Sequence, residues 1–145
     1  VELRQQIGAS PERVWQIISD LSGQERWMVD VRRLEIVRET RSGVGTVLDL
    51  TTTLFGLPVL HDVLEIVTWE PPRELGVVHR GAFTGRAFFR LEPVDDGTQF
   101  VWWEQYKPPL GFLGELAHRL VVGPHLRRVF SRSLANLRRL AEAPS

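Results

Sequence analysis

Apolar and polar positions alternate along most of the chain and change to a helical spacing in only two places. The opening "VELRQQIG" puts Val1, Leu3 and Ile7 on one face of an extended segment, with Gln5 interrupting them and Gly8 ending the run, which predicts a first strand. "ASPERVWQIISDL" then changes period. Ser10 can cap a helix, Pro11 suits its first position, Glu12 suits the positive end of its dipole, and Val14, Trp15, Ile18 and Leu21 form the apolar stripe. "SGQER" reads as a turn or a second short helix leading to Trp27. From Val31 to Tyr106 the spacing returns to two, punctuated by "RSGVG", "FGLP", "EPPRE", "RGA" and "VDDGT". Six more strands are predicted there, over residues 31–39, 45–54, 59–69, 74–81, 83–92 and 98–106. After "KPPLG" the helical period resumes. Leu113, Leu116, Leu120 and Val121 form one stripe, and Leu126, Val129, Phe130, Leu134, Leu137 and Ala141 a second, on either side of Gly123-Pro124. Gly123 lowers helix stability and Pro124 lacks an amide hydrogen, so the helix should kink or restart there with Pro124 in a first turn.

The order strand, helix, six strands, long helix predicts a single α+β domain over residues 1–145. Short connections make the strands antiparallel neighbours, and a sheet curled around the last helix would bury its stripe. Charged positions mark the solvated face. His61, Glu65 and Trp69 should point outward, leaving Leu60, Asp62, Leu64 and Ile66 inside; Leu48, Leu50 and Thr52 face inward, and Asp49, Thr51 and Thr53 outward. Arg80, Arg86 and Arg90 outside put Leu75, Val77, His79, Phe83, Gly85, Ala87, Phe89 and Leu91 inside, joined by Phe100, Trp102, Glu104 and Tyr106. Register agrees when turns are centred at Asp95-Asp96 or Asp96-Gly97, near Leu57 and at Pro71-Pro72, the last two of which bring Thr52 opposite Asp62 and Leu64 opposite His79. One end of this inner face is filled by large apolar groups. At the other, Thr52, Asp62, His79, Glu104 and Tyr106 gather around the small Gly85 and Ala87, an arrangement that leaves room for a cavity.

Composition narrows the functions. The 145 residues are 43% hydrophobic, enough for a sizeable core, and no run is long enough to span a bilayer. The N-terminus lacks the blocks of a signal peptide, so a cytoplasmic protein without stable membrane insertion is expected. Eighteen Lys and Arg balance 18 Asp and Glu, and this neutrality argues against nucleic acid as a partner. With no cysteine there is no disulfide or thiolate chemistry, and Lys107, the one lysine, is expected in a loop beside Pro108 and Pro109. GxSxG, HExxH and GxxxxGK[ST] are absent, and His118 and His125 are too far apart to chelate as an i, i+4 pair, so no metal and no cofactor are expected.

"SPERVW", Trp27, "GVG", "WEPPREL", "DGTQFVWW" and the long terminal helix, taken in that order, resemble the START-related, birch-pollen-allergen-like superfamily. The likeness is to its bacterial polyketide cyclase/dehydrase and lipid transport group in particular. It implies a helix-grip fold: a seven-stranded antiparallel sheet curled around a long C-terminal helix, two short helices between the first two strands, and a largely apolar cavity. No universal catalytic motif comes with it. On that fold Phe112 to Val122 would be either a movable rim over the cavity mouth or an ordinary break following the sheet's curvature.

Three functions follow. The first is binding or transport of a small hydrophobic ligand such as a lipid, isoprenoid, quinone or polyketide-like aromatic, lined by Leu50, Thr52, Asp62, Leu64, His79, Gly85, Ala87, Phe89, Trp102, Glu104, Tyr106, Leu116 and Leu120. The second is an aromatase/cyclase in which Glu104 or Asp62 carries a proton while Tyr106 and His79 orient the substrate. The third is a non-catalytic interaction module using the arginine face Arg127, Arg128, Arg132, Arg138 and Arg139. In a purely structural role, Glu104 would instead pair with an arginine such as Arg119, while His79 and Tyr106 satisfied backbone groups. Trp69, Val101 and Trp103, expected on the outer face, are a candidate homodimer surface.

Overall fold

In the computed structural model the described residues are 1–37, 42–54, 57–81, 84–107 and 111–144; within them, the side chains of residues 54, 58–60, 106, 107, 111, 112 and 118 are not described. The expected inward positions Leu60, Phe83 and Tyr106 therefore lie outside the described side chains.

Seven strands form one antiparallel sheet: β1 (Glu2–Ile7), β2 (Val31–Ile36), β3 (Val47–Leu54), β4 (Leu57–Glu70), β5 (Glu74–His79), β6 (Thr84–Val94) and β7 (Gly97–Lys107). Their order is β1-β7-β6-β5-β4-β3-β2, so every consecutive pair from β2 to β7 is adjacent and β1 returns to lie beside β7. Between β1 and β2 run α1 (Pro11–Ile18) and a 3-10 turn (Leu21–Arg26), and after β7 come α2 (Gly111–Ala117), a π-helical turn (His118–Val122) and α3 (Gly123–Glu142). This is the α+β helix-grip architecture. Lys107, expected in a loop, ends β7 opposite Thr84.

Local chemistry accounts for these elements. Ser10 Oγ accepts the Arg13 amide at 3.2 Å and Pro11 occupies the first turn, which starts α1. Val14, Trp15, Ile17 and Ile18 are buried, so the face of α1 toward the sheet is wider by Ile17 than the expected stripe. The β6–β7 hairpin turns on Asp95-Asp96, with Val94 paired to Gly97. Gly97 has φ of 148°, and a Cβ there would lie 2.1 Å from the Ile7 carbonyl oxygen, so only glycine lets β1 close over the hairpin.

Two irregularities interrupt the ladders of β4. Between Ile66 and Thr68 the pairing with β5 slips by one, leaving Val67 as the extra residue of a bulge. One extra residue inverts the face of all that follow. Trp69, expected outside, therefore turns inward and meets Trp15 edge-on at 5.4 Å between centroids. A second slip lies between Thr52 and Leu54; from Thr52 back, β3 pairs with β4 two residues away from expectation, Thr52 with Leu60 and Leu50 with Asp62, which keeps the same faces together, while Leu64 does face His79. Of the expected dimer surface Val101 and Trp103 do share the outer face of β7, but Val101 is buried there, beside Arg4 and Arg90, and Trp103 stacks on Phe88 at 5.1 Å.

The terminal helix is tied in at several levels. Val129, Phe130, Leu134, Leu137 and Ala141 are buried, and Phe130 stacks on Trp102 at 4.3 Å. Ser133 Oγ accepts the Val29 amide at 2.9 Å, and Asn136 donates to the Trp27 carbonyl at 3.3 Å. Arg127, Arg128, Arg132, Arg138 and Arg139 are on the exposed side, as expected. The helical run does not stop at Gly123-Pro124. It widens into the π turn just before them, where a regular turn would bring the Pro124 ring against the Leu120 carbonyl, and α3 starts with Pro124 in its first turn. The stripe preceding the break faces the opposite way from expectation: Leu113, Leu116, Leu120 and Val121 are all exposed. Among the described residues no helix is long and apolar enough to cross a membrane.

Candidate functional site

Between the sheet and the helical elements lies a cavity of about 410 Å³. Leu48 and Leu50 of β3, Leu64 of β4, Leu75 and Val77 of β5, Phe89 of β6 and Trp102 of β7 supply its apolar wall. Met28, Val31, Leu34, Leu126 and Phe130 complete that wall from outside the central strands. The side toward α2 is lined by Gly114 and Ala117 of that helix and by Val122 at the end of the π-helical turn. Leu116 and Leu120, expected as ligand contacts, are 44% and 66% exposed and do not line it. Gly85 is not a wall residue either, and Ile66 and Phe100, fully buried, pack away from the space. Leu50, Thr52, Asp62, Leu64, His79, Ala87, Phe89, Trp102 and Glu104 do come together around it, joined by Thr53, which was expected outside.

Its polar side is built across four strands. Asp62 of β4 and His79 of β5 meet at 2.6 Å from Oδ2 to Nδ1, and His79 Nε2 lies 3.0 Å from Glu104 Oε1 of β7. Glu104 must reach over β6 to do so, since neighbouring strands are separated by roughly 4.8 Å. The β6 residues in between are Ala87, paired with both Val77 and Glu104, and Gly85, paired with His79 and Tyr106. The room expected beside Gly85 is thus used for a side-chain bridge over small residues. Asp62 Oδ1 accepts the Val63 amide at 2.9 Å, which fixes the carboxylate.

With a carboxylate at each ring nitrogen, His79 donates from both and is an imidazolium. Burial alone would lower its pKa; the hydrogen bonds to Asp62 and Glu104, and the charges of both, override this and raise it to about 9. The partner of Glu104 is therefore His79 rather than an arginine, and His79 bonds to carboxylates rather than backbone.

Two further wall residues were not picked out in the sequence. Asp30, 8% exposed, has its pKa raised to about 6, first by burial and further by the charge of Glu104, against the lowering effect of a backbone hydrogen bond. Gln24, 5% exposed, donates from Nε2 to the Ile18 carbonyl at 2.6 Å, which turns its Oε1 the other way. Both sit in the irregular connection around Trp27, where no period assigns a face. The only trace is an acid set between Val29 and Val31. Gln24 Oε1, Asp30 Oδ1 and Glu104 Oε2 are buried without a hydrogen-bond partner among the described residues. No three His, Cys, Asp or Glu among those residues are placed to hold a metal ion.

Comparison with known proteins agrees with this architecture. A protein of Thermus thermophilus superimposes with a TM-score of 0.81 at 23% identity, covering 97% of this chain and 95% of that one. One of Chromobacterium violaceum gives 0.70 at 15%, covering 99% and 98%. The Zhui aromatase/cyclase of Streptomyces sp. R1128 gives 0.73 at 18%, covering 98% and 92%. These likenesses establish the fold. No curated protein matches the sequence. The family model described as polyketide cyclase / dehydrase and lipid transport matches residues 1–142, and the chain belongs to that family.

Proposed function

We propose that the protein binds a small, largely hydrophobic molecule inside the fold. The observation that carries this reading is the cavity of about 410 Å³, walled by leucines and aromatics and polar on one side. A volume of this order suits a small organic ligand, and an apolar wall with a few convergent polar groups is how such sites combine affinity with orientation. An apolar interior left unfilled would otherwise cost stability, since voids forfeit packing contacts.

The test is to fill the space. Ala87 lines the cavity from the middle of β6, so Ala87→Phe should abolish binding of an apolar fluorescent dye that the native protein takes up, with the circular dichroism spectrum retained. Undiminished dye binding in a folded Ala87→Phe variant would rule out the internal site.

A second reading, aromatase/cyclase chemistry, is favoured by one observation. Asp30 at about 6 and His79 at about 9 put two groups with displaced proton affinities in one desolvated space, the pattern general acid–base catalysis uses. Under this reading Glu104 or Asp62 carries the proton, and His79, bonded to both through its two ring nitrogens, holds them in place. The architecture shared with the Streptomyces aromatase/cyclase makes polyketide-like aromatics the natural substrates to try. Turnover that persists unchanged in Glu104→Gln and Asp62→Asn would dispose of these roles.

A further inference from the structure

Resting on the internal-ligand reading above, we infer that the ligand enters with a positively charged nitrogen, an alkyl- or arylalkylammonium group, directed at the Asp30–Glu104 side of the cavity.

Hydrogen-bonding capacity is one support. Among the described residues the partnerless polar atoms on the cavity wall, Gln24 Oε1, Asp30 Oδ1 and Glu104 Oε2, are all acceptors; the one buried partnerless donor, Trp27 Nε1, belongs to a residue that does not line the wall. The Gln24 orientation follows from its own bond to the Ile18 carbonyl, because reversing the amide would set oxygen against oxygen. Asp30 is more than nine-tenths buried and Glu104 has a side chain 11% exposed, so neither oxygen is freely hydrated. Buried acceptors without donors are costly, and carboxylate oxygens most of all. An ammonium carries three donors and no acceptor, the complement of this set, whereas a hydroxyl brings one donor and a carboxylate brings none.

Charge is the other. The titratable groups among the described wall residues are Asp30, Asp62, His79 and Glu104, with no arginine or lysine beside them. His79 is already engaged by Asp62 and Glu104 at both ring nitrogens, so it has no donor left for an anionic ligand and no charge to spare for Asp30. Acids outnumber bases here, which repels a fatty acid or an acyl phosphate and attracts a cation. The raised proton affinity of Asp30 comes first from burial, to which the charge of Glu104 adds.

Three probes with one apolar body distinguish these cases: naphthylmethylamine, naphthylmethanol and naphthoic acid, titrated calorimetrically at neutral pH. The amine should bind roughly tenfold or more tightly than the alcohol, as charge-assisted hydrogen bonds exceed neutral ones, and the acid most weakly. Asp30→Asn and Glu104→Gln should each bring the ratio of amine to alcohol affinity down towards one. If the alcohol or the acid binds as tightly as the amine, the inference is overturned and the internal-ligand reading stands; this is the result expected if Asp30 is protonated and donates to Glu104. If none of the three binds, the internal-ligand reading fails too. Should both variants fail to fold, the order of the three probes on the native protein decides alone.

Discussion

The two sides of the cavity are closed to nearly the same extent by opposite means. On one, Trp102 and Phe130 are 3% and 5% exposed, with the rings stacked and Trp27 and Phe89 edge-on or tilted around Trp102. On the other, the side chains of Asp62 and His79 are each 10% exposed and held by ionic hydrogen bonds. Aromatic packing is insensitive to protons. The bridge is not, because it exists only while His79 is charged. Equal burial therefore conceals different responses: the apolar side should fail by losing volume, and the polar side by losing a proton.

The largest effect is expected on the apolar side. Phe130→Ala removes a ring that joins α3 to β7 and also lines the cavity, so the space would enlarge rather than collapse. A loss of about 3–5 kcal/mol in urea unfolding is expected, the same at pH 6 and at pH 9. A loss that varies strongly between these pH values would break the contrast between the two sides.

Next comes His79→Ala, which leaves Asp62 and Glu104 facing each other without a cation. The folded pKa of about 9 is above the unfolded value of 6.5, so the bridge contributes in full below pH 6.5 and its contribution vanishes as pH rises through 9. Its size is about 3 kcal/mol, each unit being roughly 1.4 kcal/mol. Asp30 adds a slope of the same sign in another window. Raised from 3.8 to about 6, it costs stability when it ionises, so its effect is nil below pH 3.8 and is complete above pH 6. Only the native protein should lose stability between pH 6.5 and 9, and identical alkaline limbs would mean the bridge contributes nothing.

How far these two sides can be read from sequence depends on whether a residue's partner is set locally. The β6–β7 register follows from the Asp95-Asp96 turn, and with it come Phe89 opposite Trp102 and Ala87 opposite Glu104. Alternation likewise puts Leu50, Asp62, His79 and Glu104 on the inner face. It fails at Trp69, because nothing in an apolar run announces that Val67 is supernumerary; Thr52 keeps its inward face and only its partner changes, from Asp62 to Leu60. The Glu104–His79 bridge spans a whole intervening strand, a distance no pairwise register rule covers. Asp30 and Gln24 lie where the chain has no period, and their importance arises from what packs around them.

The helical period has a similar limit, and it yields the smallest predicted effect. Leu120 and Leu134 both belong to stripes of equal apolar character, yet Leu120 is 66% exposed and Leu134 is 2% exposed. Periodicity determines that a face exists and tertiary contact determines whether it is covered. Leu120→Ser should therefore change unfolding free energy by no more than about 0.5 kcal/mol, as exposed substitutions do, and leave the affinity of the cavity for an apolar dye intact. The comparison with Phe130→Ala then separates apolar character from burial, since both replacements remove a hydrophobic group from the same helical run. A Leu120→Ser protein that loses dye binding at unchanged stability would show that the α2 stripe folds inward over the ligand, placing a third, mobile wall between the aromatic side and the charged one.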